Sequence, residues 1–163
     1  MPRAPTSLLF RRARGAEERE GALRLLARRG GVPLLLREWC DDGELYVLTD
    51  LTEPAGRGPI GAAVVTPVVP RRTVELRTFA TRSHDVELSL RMVGDVLDAV
   101  RASGASRAVA AASNADLERM ALLQRAGFRY THVERDAAIA ARGWADLEGA
   151  IVSHDVLWFD RPL

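Results

Sequence analysis

Histidine and cysteine, which move protons or attack carbonyls near neutral pH, are scarce in this sequence. There are three histidines, His84, His132 and His154, and a single cysteine, Cys40. A lone cysteine excludes an internal disulfide and a Cys-rich metal site. Next to Trp39, Cys40 reads as a small buried hydrophobe rather than a nucleophile. His154 adjoins Asp155, an imidazole and a carboxylate of the types used in acid–base chemistry. Neighbours on a strand face opposite ways, so the two are not expected to work as one pair. For Asp155 a catalytic carboxylate and a turn cap both remain open. His132 follows Tyr130 by two residues, which puts both on one strand face and suggests a structural histidine. His84, when protonated, suits a phosphate. No metal site is expected.

The elements that must position these groups follow from periodicity and turn chemistry. Ser7–Arg12 can form a short strand. Ala16–Arg29 reads as an amphipathic helix, with acids early, arginines late and Gly30-Gly31 before Pro33 at its end. Glu44–Leu51, Ile60–Val69 and Thr73–Thr81 read as strands of an antiparallel meander, with a Gly/Pro-rich loop at 53–59 and a turn at Arg71-Arg72. The period then changes. Leu88, Met92, Val93, Val96, Leu97 and Val100 share one helical face, and the helix ends near Ser103-Gly104. A strand at Arg107–Ala112 precedes a helix capped by Ser113 or Asn114 and stopped by Gly127. Phe128–Val133 and Val156–Phe159 complete the strands. The order implies one α/β (α+β) domain over residues 1–163: a mixed, mostly antiparallel central sheet with helices on both faces.

Composition narrows the function classes. With 163 residues, 47% of them apolar, the chain can bury a real core. All 23 basic residues are arginine and the formal net charge is +1, which argues against a nucleic-acid binder. No stretch approaches the roughly 20 apolar residues of a membrane span. Met1-Pro2-Arg3-Ala4-Pro5 lacks an apolar leader, so a cytoplasmic location without membrane partners is the expectation.

From Val74 to Glu134 the chain resembles the core of a GNAT N-acetyltransferase. Three pieces carry the likeness: VELRTFATR running into LSLRMVGDVLDAVRASGA, then RAVAAAS, then NADLERMALLQRAGFRYTHVERD, in which an Asn opens a helix ending in Ala-Gly-Phe. The final GAIVSHDVLWFDRPL resembles the C-terminal strands of many bacterial members. The resemblance implies acetyl-CoA as co-substrate and a small amine as acceptor. It places Phe79, Ala80, Thr81 and Arg82 on the strand that pantetheine pairs with, in the manner of an added strand. Ser89, Leu90 and Arg91 would open the pyrophosphate-binding helix, and Asn114 would face the cofactor from the neighbouring helix. Glu75 falls where members often carry a carboxylate that acts through water, although a solvent-facing charge on a strand fits it equally.

The sequence departs from the family at two places. In the pyrophosphate loop His84 replaces Arg/Gln, Glu87 replaces the first Gly and Ser89 the second. Glu87 brings negative charge toward phosphate, which Arg82 and Arg91 can offset. Leu123 stands where the family often has a proton-donating Tyr. Three readings stay open: an acyl-CoA-dependent N-acyltransferase; the same fold turned to CoA-independent chemistry in a pocket lined by Phe79, Trp144 and Trp158; and a non-catalytic module, possible as a homodimer through DVLWFDRPL.

Overall fold

A computed structural model of the chain describes residues 7–30, 33–54, 56–68, 72–137, 146–148 and 151–163. Gly31, Arg71 and Trp144 of the expectations above lie outside these residues. The chain runs β1 (Leu8–Arg12), α1 (Gly15–Arg28), α2 (Pro33–Asp42), β2 (Glu44–Asp50), β3 (Gly61–Val68), β4 (Thr73–Thr81), α3 (Val86–Ala102), β5 (Arg107–Ser113), α4 (Leu117–Arg125), β6 (Arg129–Glu134), β7 (Asp146–Glu148), β8 (Ile151–Ser153) and β9 (Val156–Pro162). Helix α2 has no counterpart among the expected segments. Its run Leu34-Leu35-Leu36 shows no helical period, although Pro33 at its first turn is a helix-start signal.

Among the described residues, seven strands form one sheet in the order β1-β2-β3-β4-β5-β9-β6, and β7 and β8 pair as a separate hairpin. Every neighbouring pair in the large sheet is antiparallel except β4 and β5, which α3 connects. Alternation along the strands splits the core into two layers. Leu45, Val47, Ala62, Val64 and Ala80 pack against Ala22, Leu26 of α1 and Leu36, Cys40 of α2. Tyr46, Leu48, Ala63, Val65 and Leu76 face Met92, Val93, Val96 and Leu97 of α3, with Leu123 of α4 and Phe159 of β9 in the same cluster. Leu123 is fully buried, so the apolar side chain at that position is a packing residue.

Two irregularities in the ladders matter for the site. Val64 pairs with Thr78 but Val65 with Leu76, so Arg77 bulges out of β4. On β6 a second irregularity lies between Tyr130 and His132. Tyr130 consequently meets Phe159 edge-on while His132 stacks on Trp158, the next residue of β9. Tyr130 and His132 therefore lie on opposite faces, contrary to the simple two-residue alternation, because the bulge inserts Thr131.

The turn from α2 into β2 is set by Gly43. A Cβ there would lie 2.1 Å from the carbonyl oxygen of Val65 and 2.9 Å from Thr66 Cγ2. Gly43→Ala is expected to destabilise the fold by about 2–3 kcal/mol, the scale of overpacking against backbone. Denaturant unfolding of the two proteins checks it; an unchanged midpoint would refute the close approach.

Candidate functional site

The site grows from the end of the one parallel ladder. β4 and β5 pair only from Thr73↔Arg107 to Leu76↔Ala110. Beyond this, Thr78–Thr81 stay with β3 and Ala111–Ser113 stay with β9, so the strands part at their carboxyl ends. Crevices at the carboxyl ends of adjacent strands are common ligand sites in α/β sheets. Here the opening forms a cleft of about 240 Å³ lined by Thr78–Thr81 of β4, Ser83, His84 and Ser89 around the start of α3, Asp116, Glu118, Arg119 and Leu122 around α4, and Arg29. A larger hollow of about 700 Å³, with Val65, Pro67, Val68, Val74 and Val100 among its lining residues, opens at the other end of the sheet.

Each wall has a local cause. Thr81 Oγ1 donates to Ser83 O at 2.8 Å and lies 3.0 Å from Ser89 Oγ, tying the end of β4 to the first turn of α3. Asp85 caps α3: its Oδ1 accepts the Glu87 and Leu88 amides at 2.9 and 3.2 Å. Asp116 caps α4 through the Arg119 amide at 2.9 Å. The cap of α4 is thus Asp116 rather than Ser113 or Asn114. Ser113 is taken up by Ser153 Oγ and the Ala115 amide.

Arg119 enters the fork itself. Its Nε donates to Ala111 O of β5 at 2.7 Å, and its Nη2 lies 3.3 Å from both Leu76 O and Arg77 O of β4. The guanidinium lies over the Phe79 ring, 4.9 Å from its centroid. Burial lowers its pKa, and the charges of Asp116 and Glu75 oppose that shift.

On the opposite face of β4, Glu75 is only 7% exposed. Arg77 Nη1 donates to its Oε1 at 3.0 Å while Arg77 Nε donates to Thr66 Oγ1 at 2.9 Å. The same guanidinium sits over Trp39 of α2. Burial pushes the Glu75 carboxyl above the usual glutamate range, and Arg77 and Arg119 hold part of that rise back. This carboxylate is a buried group at the fork, not a solvent-facing charge.

Of the residues expected to hold a cofactor, Phe79, Ala80, Thr81 and Ser89 line the cleft. Arg82 turns away, pairing with Glu53 at 2.6 Å and donating to Gly58 O at 2.7 Å. Leu90 lines a shallow hollow beside Gly94 and Gly127, and Arg91 pairs with Asp95 along its own helix. Asn114 Oδ1 accepts the His154 and Asp155 amides at 3.0 and 3.1 Å, which fastens the end of β5 to the turn before β9. His154 and Asp155 lie in that turn, not on a strand, and their side chains do meet, Nδ1 to Oδ1 at 2.9 Å. Asp155 Oδ1 also accepts the Asp136 amide, and this bond and His154 lower its pKa. Asp136, His154 and Asp155 bring ligand-type atoms within 4.8 Å of one another; the Asp136 amide bonds Asp155 Oδ1, whereas the buried His154 Nδ1, 2.9 Å from that oxygen, makes no hydrogen bond among the described residues.

The expected loop register also shifts. Glu87 points outward to Arg125 at 3.0 Å, and the carboxylate that meets the α3 amides is Asp85. An Asp just before an apolar-periodic run is an N-cap signal legible in the sequence. Arg29 and Arg119 carried no such signal. Arg29 reaches the His84 ring and donates to Arg82 O at 2.9 Å across 53 residues.

No family model matches the sequence, and no curated protein matches it. Solved structures do. An acetyltransferase from Bacillus subtilis in complex with CoA superimposes with a TM-score of 0.82 at 19% identity, over 96% of this chain and 99% of that one. A GNAT family acetyltransferase from Elizabethkingia anophelis with acetyl-CoA bound gives 0.80 at 17% identity, over 96% and 98%. An IAA acetyltransferase from Bacillus cereus gives 0.77 at 20%, over 96% and 100%. With a single parallel pair, among the described residues, that splays inside an otherwise antiparallel sheet, and with these likenesses along nearly its whole length, the chain has the fold of the GNAT acetyltransferases.

Proposed function

We propose that the protein is an acyl-CoA-dependent N-acyltransferase that moves an acetyl group to a small amine. The observation that carries this reading is the unpaired edge of β4, Thr78–Thr81, facing a cleft beside the start of α3. Such an edge suits a ligand whose amides pair like an added strand. Acetyl-CoA would supply the activated thioester, and the acceptor amine would attack its carbonyl carbon, the C–S bond breaking to release a thiolate. Glu75 is the base in this proposal, taking the amine proton through water. No general acid is assigned: Leu123 has no proton to give, and a thiolate is a fair leaving group. Asp155 is engaged by its turn and takes no part.

The diphosphate end fits less well. The α3 amides that would receive it already bind the Asp85 carboxylate. That observation favours a second reading, in which the cleft serves a ligand without phosphates. Calorimetric titration with acetyl-CoA and with free CoA separates the two. Binding of both, followed by amine-dependent thiol release, supports acyl transfer; binding of neither overturns it in favour of the second reading.

Two variants sharpen the test. Asp85→Asn keeps a capping acceptor and removes its charge, so CoA affinity should rise about threefold to fivefold, the scale of a charge at a helix N-terminus. Unchanged affinity would mean that the phosphates do not approach Asp85. Glu75→Gln should lower turnover about a hundredfold with acyl-CoA affinity unaltered. Because a base works only when ionised and the buried Glu75 carboxyl ionises above the usual glutamate range, the wild-type rate should climb as pH rises through that elevated value. The acidic limb should vanish in Glu75→Gln. An intact limb in the variant would remove Glu75 from the mechanism.

A further inference from the structure

We propose that Arg119 is a specificity-determining residue of this cleft: its guanidinium occupies the hydrogen-bonding positions between β4 and β5, so that an amide-bearing ligand enters the fork only by displacing it. The inference rests on the acyl-CoA reading, because it concerns how the pantetheine arm of such a ligand would be admitted.

The fork leaves main-chain groups of β4 and β5 without a partner across it. After Leu76↔Ala110 the two strands no longer pair. The carbonyls of Leu76, Arg77 and Ala111 would then need water or another donor, since unpaired buried carbonyls are costly. Arg119 reaches all three with Nε and Nη2, bridging the strands where their own ladder stops. Only a planar guanidinium offers several donors at fixed angles for such a bridge. Its position is set from both sides, by the Asp116 cap on its own amide and by the Phe79 ring beneath it. The charges of Asp116 and Glu75 act on the guanidinium against the effect of its burial.

The same residue is a wall of the cleft, next to Thr78 and Phe79. An amide N–H entering along β4 and the Arg119 guanidinium would compete for the same class of acceptor. Ligands able to replace the lost donors are admitted, and ligands without amides meet a closed fork. A purely structural Arg119 would alter stability and leave the relative affinities of ligands with and without amides untouched.

Three probes separate the parts. Pantetheine carries the amides without the diphosphate, adenosine 3′,5′-bisphosphate carries phosphates without the amides, and CoA carries both. Calorimetry on wild type, Arg119→Ala, Arg119→Gln and Arg119→Lys is the experiment, with denaturant midpoints recorded for each. Removing the charge-assisted bonds that must be broken should tighten pantetheine and CoA about tenfold or more in Arg119→Ala, by a smaller factor in Arg119→Gln and Arg119→Lys. Affinity for the bisphosphate should stay unchanged. If Arg119→Ala does not fold, the Gln and Lys variants carry the same comparison. Equal or weaker pantetheine binding in the folded variants, or a gain that appears equally with the bisphosphate, overturns the proposal. Wild type and variants that bind acetyl-CoA equally well would overturn it while leaving acyl transfer standing. No CoA binding to any of them would overturn both.

Discussion

The structure depends on one ladder being allowed to stop. β4 is hydrogen-bonded to β3 up to Gly61↔Thr81, and β5 to β9 along its full length from Arg107↔Pro162 to Ser113↔Val156. Each strand is held by its outer neighbour, so the two halves of the sheet follow separate twists once the shared pairing ends at Leu76↔Ala110. The bulge at Arg77 adds a local change of direction on the β4 side. The cleft is the space between two ladders that are each complete on the outside. Both core layers hold β4 beside it, Ala80 among residues of α1 and α2 on one face and Leu76 among residues of α3 on the other.

Arginine has a particular use in this chain, which contains no lysine. Arg82 bonds the carbonyls of Arg57, Gly58 and Pro59, Arg119 those of Ala111, Leu76 and Arg77, Arg29 that of Arg82, and Arg161 that of Ala126. These guanidinium groups act as multi-donor links between loops and strand ends, a task that a single ammonium with rotating donors does less well. Much of the basic composition is therefore turned inward onto the main chain or into ion pairs such as Arg107–Asp160, in keeping with the near-neutral net charge.

Both helices that start at the cleft carry an aspartate cap. The caps satisfy amides that would otherwise be open, and they place negative charge where the helix dipole attracts an anion. Arg29 on the rim works the other way. The electrostatic character of the cleft is thus a balance among Asp85, Asp116, Glu118, Arg29 and Arg119, not a plain anion site. Glu75 sits behind this arrangement, near enough to Arg77 and Arg119 that its ionisation depends on both.

The sequence by itself determined most of the elements and their order, but not α2 or the β7–β8 hairpin. Alternation in Thr73–Thr81 and the helical stripe from Leu88 to Val100 match the observed β4 and α3, because period and turn residues are local properties. Periodicity put Phe79, Ala80 and Thr81 on a strand, and only the resemblance to GNAT N-acetyltransferases put them at a ligand edge. Only the tertiary structure decided where charged side chains point. Arg82 folds onto the 53–59 loop, Asp155 ties a turn, and Arg119, on what reads as an ordinary polar helix face, reaches into the sheet. Such choices depend on unpaired carbonyls and counter-charges contributed by segments distant in the chain. Arg119 meets Leu76 and Arg77 across more than forty residues, and no local pattern encodes that meeting.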